Sequence, residues 1–335
     1  MFKNCKIVGS NVSYETYSKQ PDGVKRGHPK YVMSRGELIE FALCPSKWLV
    51  SLNEDDSTTA TNWGSLVDCL LTSPDQFDSL FIICPETYVN SNDKEMPWTL
   101  QSKTCRQWVA EKQQEGLTVL TSEVIAKAKS AVQVMRQNSD AVELLKVSQK
   151  QVHVTGFWED KTTGLNIPVR ALLDLVPPKE HPTMGKWLAD LKSARNGDPE
   201  KWARVVDDCG YDVQAALYSD MYKSATGEDR TDWCFLVQEN KPPFHVVKPM
   251  PAMSAEFIEY GRRKYQSALD YYAQCLKMSE WPSYQVYGLK VGALQLIGPE
   301  DLWTYRKSAG LASFGSKIAY EAGPAESQTE GDIIP

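Results

Sequence analysis

Residues 151–194 read QVHVTGFWEDKTTGLNIPVRALLDLVPPKEHPTMGKWLADLKSA. The first ten residues alternate apolar and polar side chains, as a half-buried strand does. TTG is a turn, LNIPVRALLDLVP reads as a second strand and KWLADLKSA as a third. Asp174 ends the second strand, and Asp190 follows sixteen positions later on the third, ahead of Leu191 and Lys192. Strand residues two apart share a face. Asp190 and Lys192 therefore project together, and Leu191 points into the core. If the two strands are neighbours, two carboxylates and an ammonium converge.

Downstream of this core the pattern predicts helices over about 199–208 and 210–225, strands at DWCFLVQEN (232–240) and FHVVKPM (244–250), and a long helix over 254–277. Upstream, MSRGELIEFALCPSKWLVSL (33–52) carries Leu38, Phe41, Ala42 and Leu49 at helical spacing, with Ser34 as N-cap, Glu37 three residues on and Pro45 as an interruption. WGSLVDCLLTSP (63–74) is a short helix stopped by Ser73-Pro74, and 102–115 and 121–146 are further helices. Residues 1–30 read as a loosely ordered arm, and residues 288–335 as a weakly patterned, partly disordered tail. The fold class is α/β: a mixed central sheet flanked by helices over 31–287, with a helical front at 31–148 and a sheet core at 149–287.

The 335 residues are 42% hydrophobic and 24% charged, which excludes a wholly disordered or fibrous chain. The net charge of −6 argues against a nucleic-acid coat but leaves room for a nucleic-acid enzyme with a local basic groove. Apolar runs are too short to span a bilayer, and the N-terminus lacks a secretory pattern. The expectation is a soluble, cytoplasmic protein with no membrane partner. The eight cysteines show no CxxC pair and the four histidines no metal spacing, so the thiols are expected reduced and a zinc ribbon is not expected.

Two close carboxylates repel, and a hard divalent cation relieves that while leaving positions for water and phosphate oxygens. The Leu191 carbonyl, between Asp190 and Lys192, is a further candidate ligand. By spacing alone, two strand-end aspartates beside a salt-bridging lysine account for D-x-K more simply. The next helix, GYDVQAALYSDMY (210–222), alters the balance: Tyr211, Gln214, Tyr218 and Tyr222 share a face beside a stripe of Val213, Leu217 and Met221. Such a face suits phosphate or base contacts, or belongs to a core helix with partly buried tyrosines. Trp63, Trp98 and Trp108 lie in polar context, where one could stack at a DNA end.

Taken in order, these segments resemble the PD-(D/E)XK nuclease superfamily, and within it the RecE-type phage recombination exonucleases. The matching pieces are MSRGELIEFALCPSKWL, WGSLVDCLLTSP, VTGFWEDKTTGLNIPVRALLD, WLADLKSA and GYDVQAALY, spanning about residues 31–275. The resemblance implies an Mg²⁺- or Mn²⁺-dependent DNA exonuclease. It makes Asp174 and Asp190 metal ligands, Lys192 the catalytic lysine, and Gln214 and Tyr218 a helix motif near the DNA. It further implies digestion of duplex DNA from an end, 5′ to 3′, a single-strand annealing protein as partner, a ring-shaped homo-oligomer, and a bacterial host cytoplasm if the gene is phage-borne.

The chain departs from the family in two places. Asp68 stands where relatives often have a metal-binding His, as a swapped ligand or as an unrelated residue. Leu172 stands where many have a basic residue, with Arg170 two positions earlier. Ser34 and Arg35 open a helix whose N–H groups and guanidinium could hold a 5′-phosphate, or they are a plain cap and a surface arginine. Cys44-Pro45 is similar to the iron–sulfur branch of the superfamily, but Cys209, Cys234 and Cys275 are too far apart for a cluster. Two rival functions stay open: a structure-specific or restriction-type endonuclease, and a catalytically disabled DNA-end-binding module.

Overall fold

The computed structural model describes residues 1–50 and 59–284. The chain opens with strand β1 (Phe2–Gly9) and helices α1 (Tyr14–Ser18), α2 (Arg35–Leu43), α3 (Pro45–Val50) and α4 (Thr59–Thr72). Small elements follow: α5 (Phe77–Leu80), β2 (Phe81–Ile83), β3 (Thr87–Val89), β4 (Glu95–Pro97), α6 (Lys103–Gln114) and β5 (Thr118–Leu120). Helices α7 (Ser122–Arg136) and α8 (Ser139–Val147) lead into β6 (Gln149–Glu159), β7 (Asn166–Val176) and β8 (Trp187–Ala194). Then come α9 (Pro199–Asp208), α10 (Tyr211–Thr226), β9 (Asp232–Glu239) and α11 (Ala255–Met278).

The main sheet has the order β1-β6-β7-β8-β9. Its first three junctions are antiparallel and β8–β9 is parallel, so the sheet is mixed. Alternation on β9 divides the core. Trp233, Phe235 and Val237 join α2, α10 and α11 on one face, and Cys234 and Leu236 join α4, α7 and α8 on the other. The architecture is the expected mixed sheet flanked by helices.

Three local expectations are corrected. Residues 1–30, read as a loose arm, contain the edge strand β1. It pairs with β6 through two register shifts and packs the half-buried Phe2 against Trp158 and Tyr265. An interrupted edge strand covered on one side loses the alternation that would announce it. FHVVKPM forms no strand; Val246 and Ala252 make only isolated bridges to β9, and Pro249 and Pro251 offer no N–H for a ladder. The single helix expected over 121–146 is two, because the Asn138 side chain accepts from Asp140 N (3.1 Å) and Ala141 N (3.2 Å) and caps a new start. The tail from 288 lies outside the described residues.

Helix α10 is held tightly over the sheet. Gly210 precedes it at φ +62°, where a Cβ would come within 2.5 Å of Ile39. Gly261 lets α11 approach so closely that a Cβ would meet the Asp212 carbonyl at 2.1 Å. Buried Lys264 bonds Asp212 (2.7 Å) and Asp207 (3.0 Å), tying α11 to α10 and α9.

Candidate active site

The ladder between β7 and β8 is reduced to one pair, Leu175 with Ala189. Beyond it the Asp174 carboxylate takes the place of a backbone acceptor, its Oδ2 receiving the Leu191 N–H at 3.0 Å. This side-chain bond sets Asp174 against the strand that carries Asp190 and Lys192. The convergence anticipated from the spacing is therefore present.

Asp190 is 1% exposed. Gln214 Nε2 donates to its Oδ1 at 2.6 Å, and the Lys192 ammonium contacts its Oδ2 as an ion pair. Oδ2 receives no hydrogen bond otherwise. Arg35 extends the chain, donating through Nη2 to Gln214 Oε1 (3.4 Å) and through Nη1 to the Cys209 carbonyl (3.0 Å). The Tyr211 ring lies 4.5 Å from Lys192 Nζ and 5.8 Å from the Arg35 guanidinium, a cation–π seat for both.

Asp68 approaches from α4. Its Oδ2 accepts from Gln151 Nε2 at 3.0 Å and its Oδ1 from Thr72 at 3.4 Å. Gln151 falls opposite Asp174 in the β6–β7 register, between the Lys150–Leu175 and Val152–Leu173 pairs, with a left-handed φ of +48°. Burial pushes the Asp68 carboxyl up to about 6, with Asp190 adding to the rise and Thr72 and Lys192 opposing it. Burial, then Asp190 and Asp68, hold the Asp174 carboxyl well above the usual carboxylate range. The three carboxylates thus feel one another, and the Lys192 charge offsets part of the repulsion at both Asp68 and Asp174.

Among the described residues, no three His, Cys, Asp or Glu side chains form a ready-made metal cage. The donor set nonetheless suits a hard divalent ion that keeps several waters. Asp174 and Asp190 flank Leu191, their two anions repel, and the buried Asp190 Oδ2 is met, among the described residues, by the Lys192 ammonium and nothing else. Asp174, Asp190 and the Leu191 carbonyl would hold such an ion, with Asp68 the candidate third carboxylate.

The other candidate residues take structural places in the fold. Ser34 caps α2, accepting from Glu37 N at 3.3 Å. Tyr218, expected at a DNA-facing surface, is buried and packs edge-on to Trp233 at 6.1 Å. Positions 214 and 218 share a helix face, and that face is turned to the sheet, so Gln214 orients Asp190 while Tyr218 fills the core. Trp63 stacks on Phe244 (5.9 Å), and Trp98 meets Trp108 edge-on (5.2 Å). Gln151 and Thr72 escaped the sequence reading. Each is an ordinary polar residue in its element; Gln151 finds its partner only where α4 approaches β6, and Thr72 bonds Asp68 one turn earlier in α4.

The Asp68 arrangement has a measurable consequence. A carboxyl whose folded value (about 6) exceeds its unfolded one (3.8) leaves the native state holding more protons than the unfolded state. Stability of the metal-free protein should then fall as pH rises from about 4 to about 6. Asp68→Asn should flatten that fall, raise the metal-free melting temperature at pH 7 and shrink the Mg²⁺-induced rise. Equal melting shifts and equal nuclease activity in the two proteins would remove Asp68 from the site.

None of the curated proteins matches this sequence. A solved structure from Eubacterium rectale, described as a "putative exonuclease", superposes with a TM-score of 0.51 at 16% identity, covering 88% of this chain and 98% of its own. At that identity the likeness concerns the fold. The model of a family described as a PDDEXK-like domain of unknown function (DUF3799) matches residues 34–286, which hold Asp68, Asp174, Asp190, Lys192 and Gln214. With the family model spanning most of its length and both carboxylates and the lysine gathered at the β7–β8 opening, the chain belongs to the DUF3799 family of PD-(D/E)XK nuclease-like domains.

Proposed function

We propose that this protein is a divalent-metal-dependent deoxyribonuclease that digests duplex DNA from an end. The observation that carries the reading is the convergence of Asp174, Asp190 and Lys192 where β7 and β8 part. A bound Mg²⁺ or Mn²⁺ would polarise the phosphodiester and lower the pKa of a coordinated water. Asp174 and Asp190 supply the negative charge that such an ion requires. Gln214 holds the Asp190 carboxylate in one orientation, and Arg35 holds Gln214. Lys192, seated on Tyr211, would stabilise charge developing on the phosphate.

Exonuclease action, 5′ to 3′ polarity, release of nucleotides, a ring-shaped homo-oligomer and hand-over of a 3′ strand to an annealing protein rest on the resemblance to RecE-type enzymes. The test is an end-labelled linear duplex beside a covalently closed circle of the same sequence, each with Mg²⁺. The expected result is loss of the 5′-labelled strand and an intact circle. A nicked or linearised circle would assign endonuclease action instead. Binding of ends without hydrolysis in Mg²⁺ or Mn²⁺ would identify a disabled DNA-end-binding module.

A further inference from the structure

A pocket of about 410 Å³ opens over β6 and β7, and none of Asp68, Asp174, Asp190, Lys192 or Gln214 lines it. Its floor is formed by Arg170 of β7 and by His153 and Thr155 of β6, Thr155 being the cross-strand partner of Arg170. Its wall is the segment around Lys19 and Gln20. The Gln20 amide fixes that wall by bonding both the N–H (2.9 Å) and the carbonyl (3.0 Å) of Val32.

Arg170 is 5% exposed. Its Nη1 donates to the Lys19 carbonyl at 3.0 Å, and its guanidinium lies 5.0 Å from the centre of the Tyr17 ring. Its Nε is buried without a partner. The other buried cations among the described residues all have carboxylates: Arg230 pairs with Glu228, and Lys264 with Asp207 and Asp212. Arg170 alone has none at ion-pair distance. A guanidinium taken out of water without a counter-charge is strongly disfavoured, so a ligand that brings the charge would relieve the site.

The neighbouring groups indicate which anion. His153 Nε2 is a second buried polar atom without a partner. Burial and the Arg170 charge both lower the imidazole's pKa, and an anion between the two would offset that repulsion. Arg170 offers a forked donor, Thr155 a hydroxyl, and Lys19 a cation at the rim, opposed by the exposed Asp22. A tetrahedral oxyanion accepts from donors spread in this way, and the volume leaves room for more than the bare ion.

We propose that this pocket binds the phosphate group of a phosphomonoester, with Arg170 and His153 as its principal partners. A free nucleotide and the terminal phosphate of a DNA strand share this chemistry. The assignment is independent of the nuclease reading, because the pocket needs neither metal nor cleavage.

The test is calorimetric titration of the full chain in EDTA, which removes any metal bridge. The ligands are inorganic phosphate, deoxyadenosine 5′-monophosphate, and a short duplex with 5′-phosphate or 5′-hydroxyl ends. Saturable binding of phosphate-bearing ligands is expected, weakened about tenfold or more in Arg170→Met by loss of charge-assisted hydrogen bonds. His153→Asn, a milder change, should weaken the same ligands and keeps the test open should Arg170→Met fail to fold. Preference for the 5′-phosphorylated over the 5′-hydroxyl duplex would assign the site to strand ends; mononucleotide binding with no such preference would assign it to free nucleotide. Absence of saturable binding to wild type, or unchanged affinity in the folded variants, would overturn the proposal.

Discussion

Asp174→Asn and Asp190→Asn should each abolish Mg²⁺-dependent cleavage, with opposite effects on stability. Altering groups that merely support metal ligands costs about 10–100-fold, so loss of a ligand itself should exceed that range. Asp174 is buried against two other carboxylates, and its ionised form is disfavoured in the fold. Neutralising it removes repulsion and should raise the melting temperature of the metal-free protein. Asp190 is fully engaged by Gln214 and Lys192. Neutralising it removes the ion-pair partner in contact with a largely buried ammonium, and breaking such a pair costs about 3–5 kcal/mol. Melting curves without metal and nuclease assays with it, on both variants, check this. Substantial cleavage by either would remove these aspartates from the chemistry. Matching stability changes would contradict the electrostatic picture of the site.

Lys192→Ala should slow turnover by about 10²–10³-fold, the usual loss for one transition-state electrostatic contact. Metal affinity should move the other way. Lys192 is not a ligand, and its charge competes with a cation for Asp190 Oδ2. Its removal should leave Mg²⁺ binding unchanged or tighter, a split that loss of a ligand cannot produce. The measurement is kcat at saturating Mg²⁺ beside a calorimetric metal titration. A variant cleaving at the wild-type rate would reduce Lys192 to a structural partner of Asp190.

Much of the fold was legible because its elements carry local signals. Strand β6 alternates, β7 and β8 are short apolar runs bounded by turn residues, and α2 has its Ser34 cap and a proline just beyond its end. The D-x-K spacing placed Asp190 and Lys192 on one strand face, since a two-residue period needs no tertiary information. β1 was not legible, because an edge strand with two register shifts loses its alternation. Nor was the break at Asn138, where the helical periodicity continues on both sides and only the side-chain cap marks the new start.

The sequence by itself therefore determined the order of the core elements from β6 to β9 and the residue types that reach the site. Their partners were decided by the tertiary structure. Asp174 meets Leu191 because β7 and β8 part after one pair. Gln214 turns to Asp190 because α10 lays that face on the sheet, which also buries Tyr218. Asp68 acquires Gln151 and a raised pKa only where α4 comes against β6 and β8. Arg170 loses its water without gaining a carboxylate because residues from Tyr17 to Gln20 close over β7. Periodicity is a local property that a short window of sequence records. Burial and charge pairing depend on which distant segments share a place, and no such window holds that information.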